Sequence, residues 1–297
     1  MVTRQGARRV QRGALWAFVP VIGMLPFTLL ALAVFWFPFS IVFGVDYWMF
    51  AVAFLAIGLL MFVRPFQVFV LTPIVGARRP TPAEAAVIEP IWIGIAEANG
   101  LPASRYVVRV VDTDEVNAFA CGGHLVVVTT FAVTELTASQ LRGVLAHELS
   151  HHLGLHTVAI TLGHWLSVPV VVLARIGFYL ENVAQAAAGS FGQRSAAIAA
   201  VGTVAAAIFS GLAWVFTAAL RGSDAITNMV GHSSEYEADQ LAVRMGFGAE
   251  LAGALRFVLA QGYGARPIGW RARLAASHPP ARTRVARIEA LMRHPAR

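Results

Sequence analysis

Residues 146–153 read AHELSHHL, and the fold turns on how this stretch is read. Upstream, residues 134–145 read TELTASQLRGVL. Thr137 is placed to cap a helix, with Gln140 three residues on as its reciprocal partner. Leu141, Val144, Leu145 and Leu149 recur on one side, the periodicity of an amphipathic helix. On that helix His147 and His151 stand one turn apart on the same face, so two imidazoles can share one metal ion. Glu148 follows the first histidine directly and can reach a water beside the metal without ligating the metal. This is the HExxH arrangement, which pairs zinc with a glutamate base. His152 lies on another face and is not needed as a ligand. The competing reading is a solvated helix with incidental histidines. Because the pattern fixes only three positions, the rest of the chain has to decide.

The composition narrows the setting. The chain has 297 residues, of which 57% are hydrophobic and only 13% charged, and its mean hydropathy is +0.65. That is too apolar for an ordinary soluble domain. All 23 basic residues are arginine, and the formal charge is +7. The arginines form no single stripe and several flank apolar runs, where anionic lipid is the simpler partner. No aromatic and basic interleaving marks a nucleic-acid module, so nucleic acid is not expected as a partner. Cys121 is the single cysteine, which excludes an intramolecular disulfide and a four-cysteine zinc site.

Four apolar runs are long enough to matter in a bilayer, where a helix needs about 20 residues to cross. They cover residues 14–43, 47–63, 157–179 and 195–220. The first is too long for a signal peptide and no small-residue cleavage signal closes it. Arg64 and Pro65 close the second, and the apolar FQVFVLTPIVG that follows extends it or lies at the interface. The third contains His164 and Arg175, polar groups that also suit a transporter. The fourth contains GTVAAAIFSG, small residues suited to close helix packing. Arg4, Arg8, Arg9 and Arg12 precede the first run and Arg78 and Arg79 follow the second, so the positive-inside bias places both ends of this hairpin in the cytoplasm. The expectation is four spans, with the polar segments cytoplasmic.

Those polar segments read as α+β. Residues 81–98 form a helix with Thr81 as cap, Pro82 at the first position and Glu84 completing the capping box. Residues 106–111 and 125–130 read as strands, with Gly122 and Gly123 at the bend before the second. Further helices are expected over 235–245, beginning near Ser233 or Ser234, over 249–261 and over 282–292. The expected organisation is a membrane hairpin over 1–76, the first part of a catalytic domain over 77–156, a second membrane hairpin over 157–220 and the rest of the domain over 221–297. The segment from His124 through Leu125 and Val126 to Thr130 reads as an exposed edge strand that can pair with an extended substrate, with Asn117 and Ala118 placed to position it; its valine-rich pattern fits a normal internal strand equally well.

A catalytic zinc usually has three protein ligands and an open position. Residues 231–242, GHSSEYEADQLA, offer Glu235 and Asp239 four apart on one helical face. The reading favours Glu235 as ligand and Asp239 as the group that orients a histidine through its other ring nitrogen. The spacing leaves the reverse assignment open.

Taken in order, these motifs resemble the membrane-embedded zinc metallopeptidases of the HtpX and CAAX-prenyl-protease type, and most resemble the HtpX-like heat-shock branch. The resemblance rests on HELSH at 147–151, EYEAD at 235–239, NAFACGGHLVVVTT at 117–130 and SHPP at 277–280, and it covers nearly the whole chain. It implies an α-helical integral membrane protein with an α+β zincin-like metalloprotease domain. It selects His147, His151 and Glu235 as ligands of one Zn2+ per chain, with Glu148 as the base. It also implies His278, ahead of His232 and Tyr236, as a donor to the developing oxyanion. Unfolded or damaged membrane proteins would be the substrates, in quality control at the inner or plasma membrane. One departure stands out. The family's serine-arginine pair before the third ligand is replaced by Gly231 and His232, which motivates a catalytically silent scaffold as the alternative, beside a prenyl-protein-type protease.

Overall fold

A computed structural model describes residues 17–114, 118–154, 156–192, 195–261 and 279–294. Asn117 and His278, with the side chains of Cys121 and His232, lie outside the described residues. The chain divides into two compact units: Met1–Phe18, Leu59–Thr161 and Asn228–Arg297 form one, Val19–Gly58 and Leu162–Thr227 the other.

The first unit carries the polar segments. Helix α3 (Arg64–Ile74) leads into β1 (Ala77–Arg78) and α4 (Pro82–Ala98). Both halves of the Thr81–Glu84 capping box form, so the start of α4 follows the sequence signal. Strands β2 (Val107–Val111), β3 (Ala118–Cys121) and β4 (Leu125–Thr129) follow, then α5 (Thr130–Glu135) and α6 (Ala138–Leu153). The sheet order is β1-β2-β4-β3, with β2 and β4 parallel and the outer pairs antiparallel. This corrects the edge-strand expectation. β4 is bonded on both sides, and Leu125 and Val126 are 0% exposed. Among the described strands the edges are β1 and β3, and β3 has four residues, too short to announce itself by alternation. Gly122 makes the β3–β4 turn at φ +63°, and a Cβ there would meet the Gln67 side chain at 1.7 Å, so both backbone and space require glycine. Ile88, Ile91, Trp92 and Ile95 of α4 pack with Val110, Val126 and Val128 of the sheet and with Leu141, Leu145 and Leu149 of α6.

The second unit is built of apolar helix. It holds α1 (Val19–Phe43) and most of α2 (Tyr47–Leu60), with parts of α7 (His156–Gly192) and α8 (Ala196–Arg244). Met24, Ala31, Leu166, Val170, Leu173 and Phe216 form its core. Buried Thr28 donates to the Leu166 carbonyl at 2.8 Å, a polar link between helices where water cannot serve. Gly177 and Gly202 let the backbones of α7 and α8 close: an added Cβ would lie 2.9 Å from that of Ala213 and 2.8 Å from that of Ala188. Outward, Ile22, Ile41, Trp48 and Val201 are exposed, as lipid-facing side chains are.

Val19–Phe43, Thr157–Ser190 and Ala199–Ser223 are long and apolar enough to span a membrane. The second apolar run differs from expectation. It breaks after Leu60 and resumes at Arg64, bent by 87°, so four spans are reached only if the bent pair counts as one. Pro65 in the first turn of α3 explains the restart, since it lacks the amide that would continue the ladder. The helix expected to begin near Ser233 or Ser234 has no start there. It is the end of α8, 49 residues long. Serine is a cap only if the chain leaves the helix, and nothing between Ala196 and Arg244 forces it to. Helices α9 (Gly248–Ala260) and α10 (Ala281–Arg293) also belong to the first unit.

Candidate metal centre

Helix α6 is fixed before any metal is considered. Thr137 accepts from the Gln140 amide and Gln140 accepts from the Thr137 amide at 2.9 Å, which closes its first turn. Gly143 lets α9 cross within backbone contact: a Cβ there would lie 2.2 Å from the Leu251 nitrogen. At the other end His152 bonds the Leu125 carbonyl through Nε2 at 3.1 Å and packs on the Tyr106 ring at 5.0 Å. Burial holds the pKa of His152 down to about 3, so it serves as a neutral donor. The sequence showed that His152 faces away from His147 and His151; its tie to the central strand needed the fold.

One turn apart on this anchored helix, His147 and His151 face Glu235 from α8. The ring nitrogens His147 Nε2 and His151 Nε2 are 3.2 Å apart. His147 Nε2 lies 3.4 Å from Glu235 Oε2 and His151 Nε2 3.1 Å from Glu235 Oε1. Asp239, one turn beyond Glu235, meets the other face of the problem: its Oδ1 is 3.1 Å from His147 Nδ1. The two acids therefore take different roles. Glu235 joins the two Nε2 atoms, and Asp239 sits behind His147. Glu148 is buried on the same helix.

Arg284, from the first turn of α10, enters the same cluster. Its Nε and Nη2 donate to Asp239 Oδ2 and Oδ1 at 2.9 and 2.7 Å, and its Nη1 is 3.2 Å from Glu235 Oε2. No motif drew attention to it. A usable signal existed, because a cation in the first turn of a helix opposes the helix dipole and needs a compensating partner.

The charges settle one another. Burial pushes the Asp239 carboxyl up, but hydrogen bonds from His147 and Arg284 outweigh it and hold the pKa at about 2. Burial and the Arg284 charge push His147 down, yet Asp239 and Glu235 prevail and raise it to about 9.

The other expected site residues scatter. Ala118 begins β3, which packs against α6. His124 is half-buried at the β3–β4 turn, and its carbonyl accepts from the Val107 amide at 2.7 Å. The Tyr236 ring lies under the Arg287 guanidinium at 3.9 Å, which commits it to packing.

Residues 82–292 match the model of Peptidase family M48. Among solved structures, the crystal structure of S. mikatae Ste24p is similar at a TM-score of 0.51 and 18% sequence identity. The match covers 89% of this chain and 61% of that one, so the chain spans about three fifths of that protein's length.

Proposed function

This chain belongs to peptidase family M48, and on that premise we propose that it is a zinc-dependent endopeptidase acting on unfolded or damaged membrane proteins. The observation that carries the proposal is the spacing of three donors. Ligands 2.0–2.1 Å from zinc at tetrahedral angles lie roughly 3.3 Å apart. The two imidazole Nε2 atoms of His147 and His151 are 3.2 Å apart, each lies 3.4 or 3.1 Å from one oxygen of the Glu235 carboxylate, and with one donor atom from each residue all three lie within 4.8 Å of one another. Two imidazoles and one carboxylate are also the right chemistry, and they leave a fourth position open. The residues thus fit one zinc ion per chain, and Asp239 is placed to hold His147 by Nδ1 with Nε2 turned toward His151 and Glu235.

Zinc held there supplies a Lewis acid that polarises a carbonyl and brings the pKa of a water to about 7. Glu148 takes the proton as the water oxygen attacks the peptide carbon. The same carboxyl then gives the proton to the leaving nitrogen as the C–N bond breaks, so one group serves as base and acid in turn. The developing negative charge on the carbonyl oxygen needs a protein donor, and we assign it to His278, three residues before α10 begins. The substrate backbone pairs along the side of β3 that no described strand covers, beside α6, rather than along β4. Backbone pairing reads few side chains, which suits varied unfolded substrates. Arginines on both sides of the N-terminal hairpin support a plasma-membrane or inner-membrane protein with its catalytic domain in the cytoplasm.

The test is E148Q against parent protein in one detergent, with casein as substrate. Removing general acid–base chemistry costs about 10²–10⁴-fold in rate, while zinc content stays at parent level. His147→Ala, His151→Ala and Glu235→Ala lose the zinc. Parent activity that survives in E148Q rejects the base, and a zinc-bound but inactive parent supports the scaffold instead.

A further inference from the structure

The mechanism above leaves Arg284 unused, although it is the best-connected side chain in the cluster. It is buried, and its fork grips both oxygens of Asp239 at 2.7 and 2.9 Å. Its remaining nitrogen reaches Glu235 Oε2 at 3.2 Å. Glu235, Asp239 and Glu148 are all buried, and the first two stand one turn apart on α8, a like-charge spacing that destabilises a helix. Unpaired buried charges of this kind cost several kcal/mol each, so a counter-charge is required there.

We propose that Arg284 is a positioning residue of the metal centre, setting through Asp239 the tautomer of His147 and directly the angle of the Glu235 carboxylate. Asp239 Oδ1 is shared between Arg284 Nη2 at 2.7 Å and His147 Nδ1 at 3.1 Å. With Arg284 donating to both carboxylate oxygens, Asp239 cannot rotate away. When metal binds and His147 gives up one proton, the proton that remains stays on Nδ1 facing Asp239, and Nε2 faces His151 and Glu235, with Arg284 Nη2 bordering the same Nε2 at 3.2 Å. A lysine cannot replace this arrangement, because a point charge lacks the planar fork. Arg284 reaches the site only when α10 docks, with Ile288 packed on Ala242, Leu251 and Ala252. Its amide donates to the Pro280 carbonyl at 3.2 Å, so Pro280 sets where the guanidinium begins. Metal affinity is thereby linked to the docking of α10.

The inference rests on the zinc reading, and the test separates the two. Full-length parent, R284Q, R284K, D239N and the R284Q/D239N double variant are titrated with zinc against a chromophoric chelator, and cobalt-substituted spectra are recorded. Loss of an outer partner of a metal ligand typically weakens binding about 10–100-fold. R284Q and R284K should each fall in that range and alter the cobalt absorption. The double variant should lose less affinity than the sum of the two single losses, because part of the Arg284 effect passes through Asp239; strictly additive losses would overturn the Asp239 route. R284K keeps the buried charge and so tests the fork even if R284Q fails to fold. A merely structural arginine lowers the thermal transition but leaves the affinity and cobalt spectrum of the folded R284K unchanged, and that result overturns the proposal. A parent protein that binds no zinc overturns the zinc reading itself.

Discussion

Gly143→Ala tests whether the packing of α6 governs the metal centre. In a helix interior this change normally stabilises by about 1 kcal/mol, because alanine loses less conformational freedom. Here the new Cβ would lie 2.2 Å from the Leu251 nitrogen and 2.4 Å from the Glu250 carbonyl carbon. Both are backbone atoms, so no rotamer can relieve the contact. Reaching an ordinary 3.4 Å contact requires α6 and α9 to part by at least about 1.2 Å. Overpacking of this kind costs about 1–3 kcal/mol, which exceeds the propensity gain. The displacement also falls one turn before His147, whose Nε2 sits 3.4 Å from Glu235. A misplacement of roughly 1 Å near reacting groups can cost about 10²-fold in rate. G143A should therefore unfold at lower temperature, bind zinc more weakly and cleave casein more slowly. Thermal melts with and without zinc, chelator competition and initial rates measure all three. A G143A protein that melts higher than the parent, at parental zinc affinity, would refute the reasoning, since propensity would then have won over the clash.

Two further outcomes follow from charge and topology. With His147 raised to about 9 from an ordinary 6.5, metal-free protein carries it protonated at pH 7, so zinc binding displaces a proton and affinity rises with pH until about 9; calorimetry in buffers of different ionisation enthalpy reads the proton directly. The raised pKa also stabilises the metal-free fold below pH 6.5, and that contribution is lost as pH rises through 9, so a metal-free melting temperature that does not fall over that window contradicts the assignment. Cysteine labels at Asp46 and Ala188, in a background without Cys121, should react from outside intact cells and a label at Arg78 should not; protection of Ala188 means that the second hairpin does not cross.

Local order was legible in the sequence wherever it depends on neighbours along the chain. The Thr81 and Thr137 capping boxes, the one-turn separation of His147 and His151 and the apolar faces of α4 and α6 all follow from spacings of three or four residues. The apolar runs were equally plain, because a span is a matter of length and composition. The strand beside the active helix was not. β3 has four residues, and only its pairing with β4 makes it an edge and turns Leu125 and Val126 inward. Ser233 and Ser234 looked like a helix start, yet α8 runs through them, since a cap signal matters only where the ladder ends. Spacing placed Glu235 and Asp239 on one face without ranking them. Their roles diverge because α6 presents Nε2 of both histidines to one acid and Nδ1 of His147 to the other. Arg284 lies 137 residues from His147 in the chain, and no period or motif connects them. The docking of α10 onto Ala242, Leu251 and Ala252 does, because burying Ile288 there carries the guanidinium into the cluster of carboxylates that needs its charge.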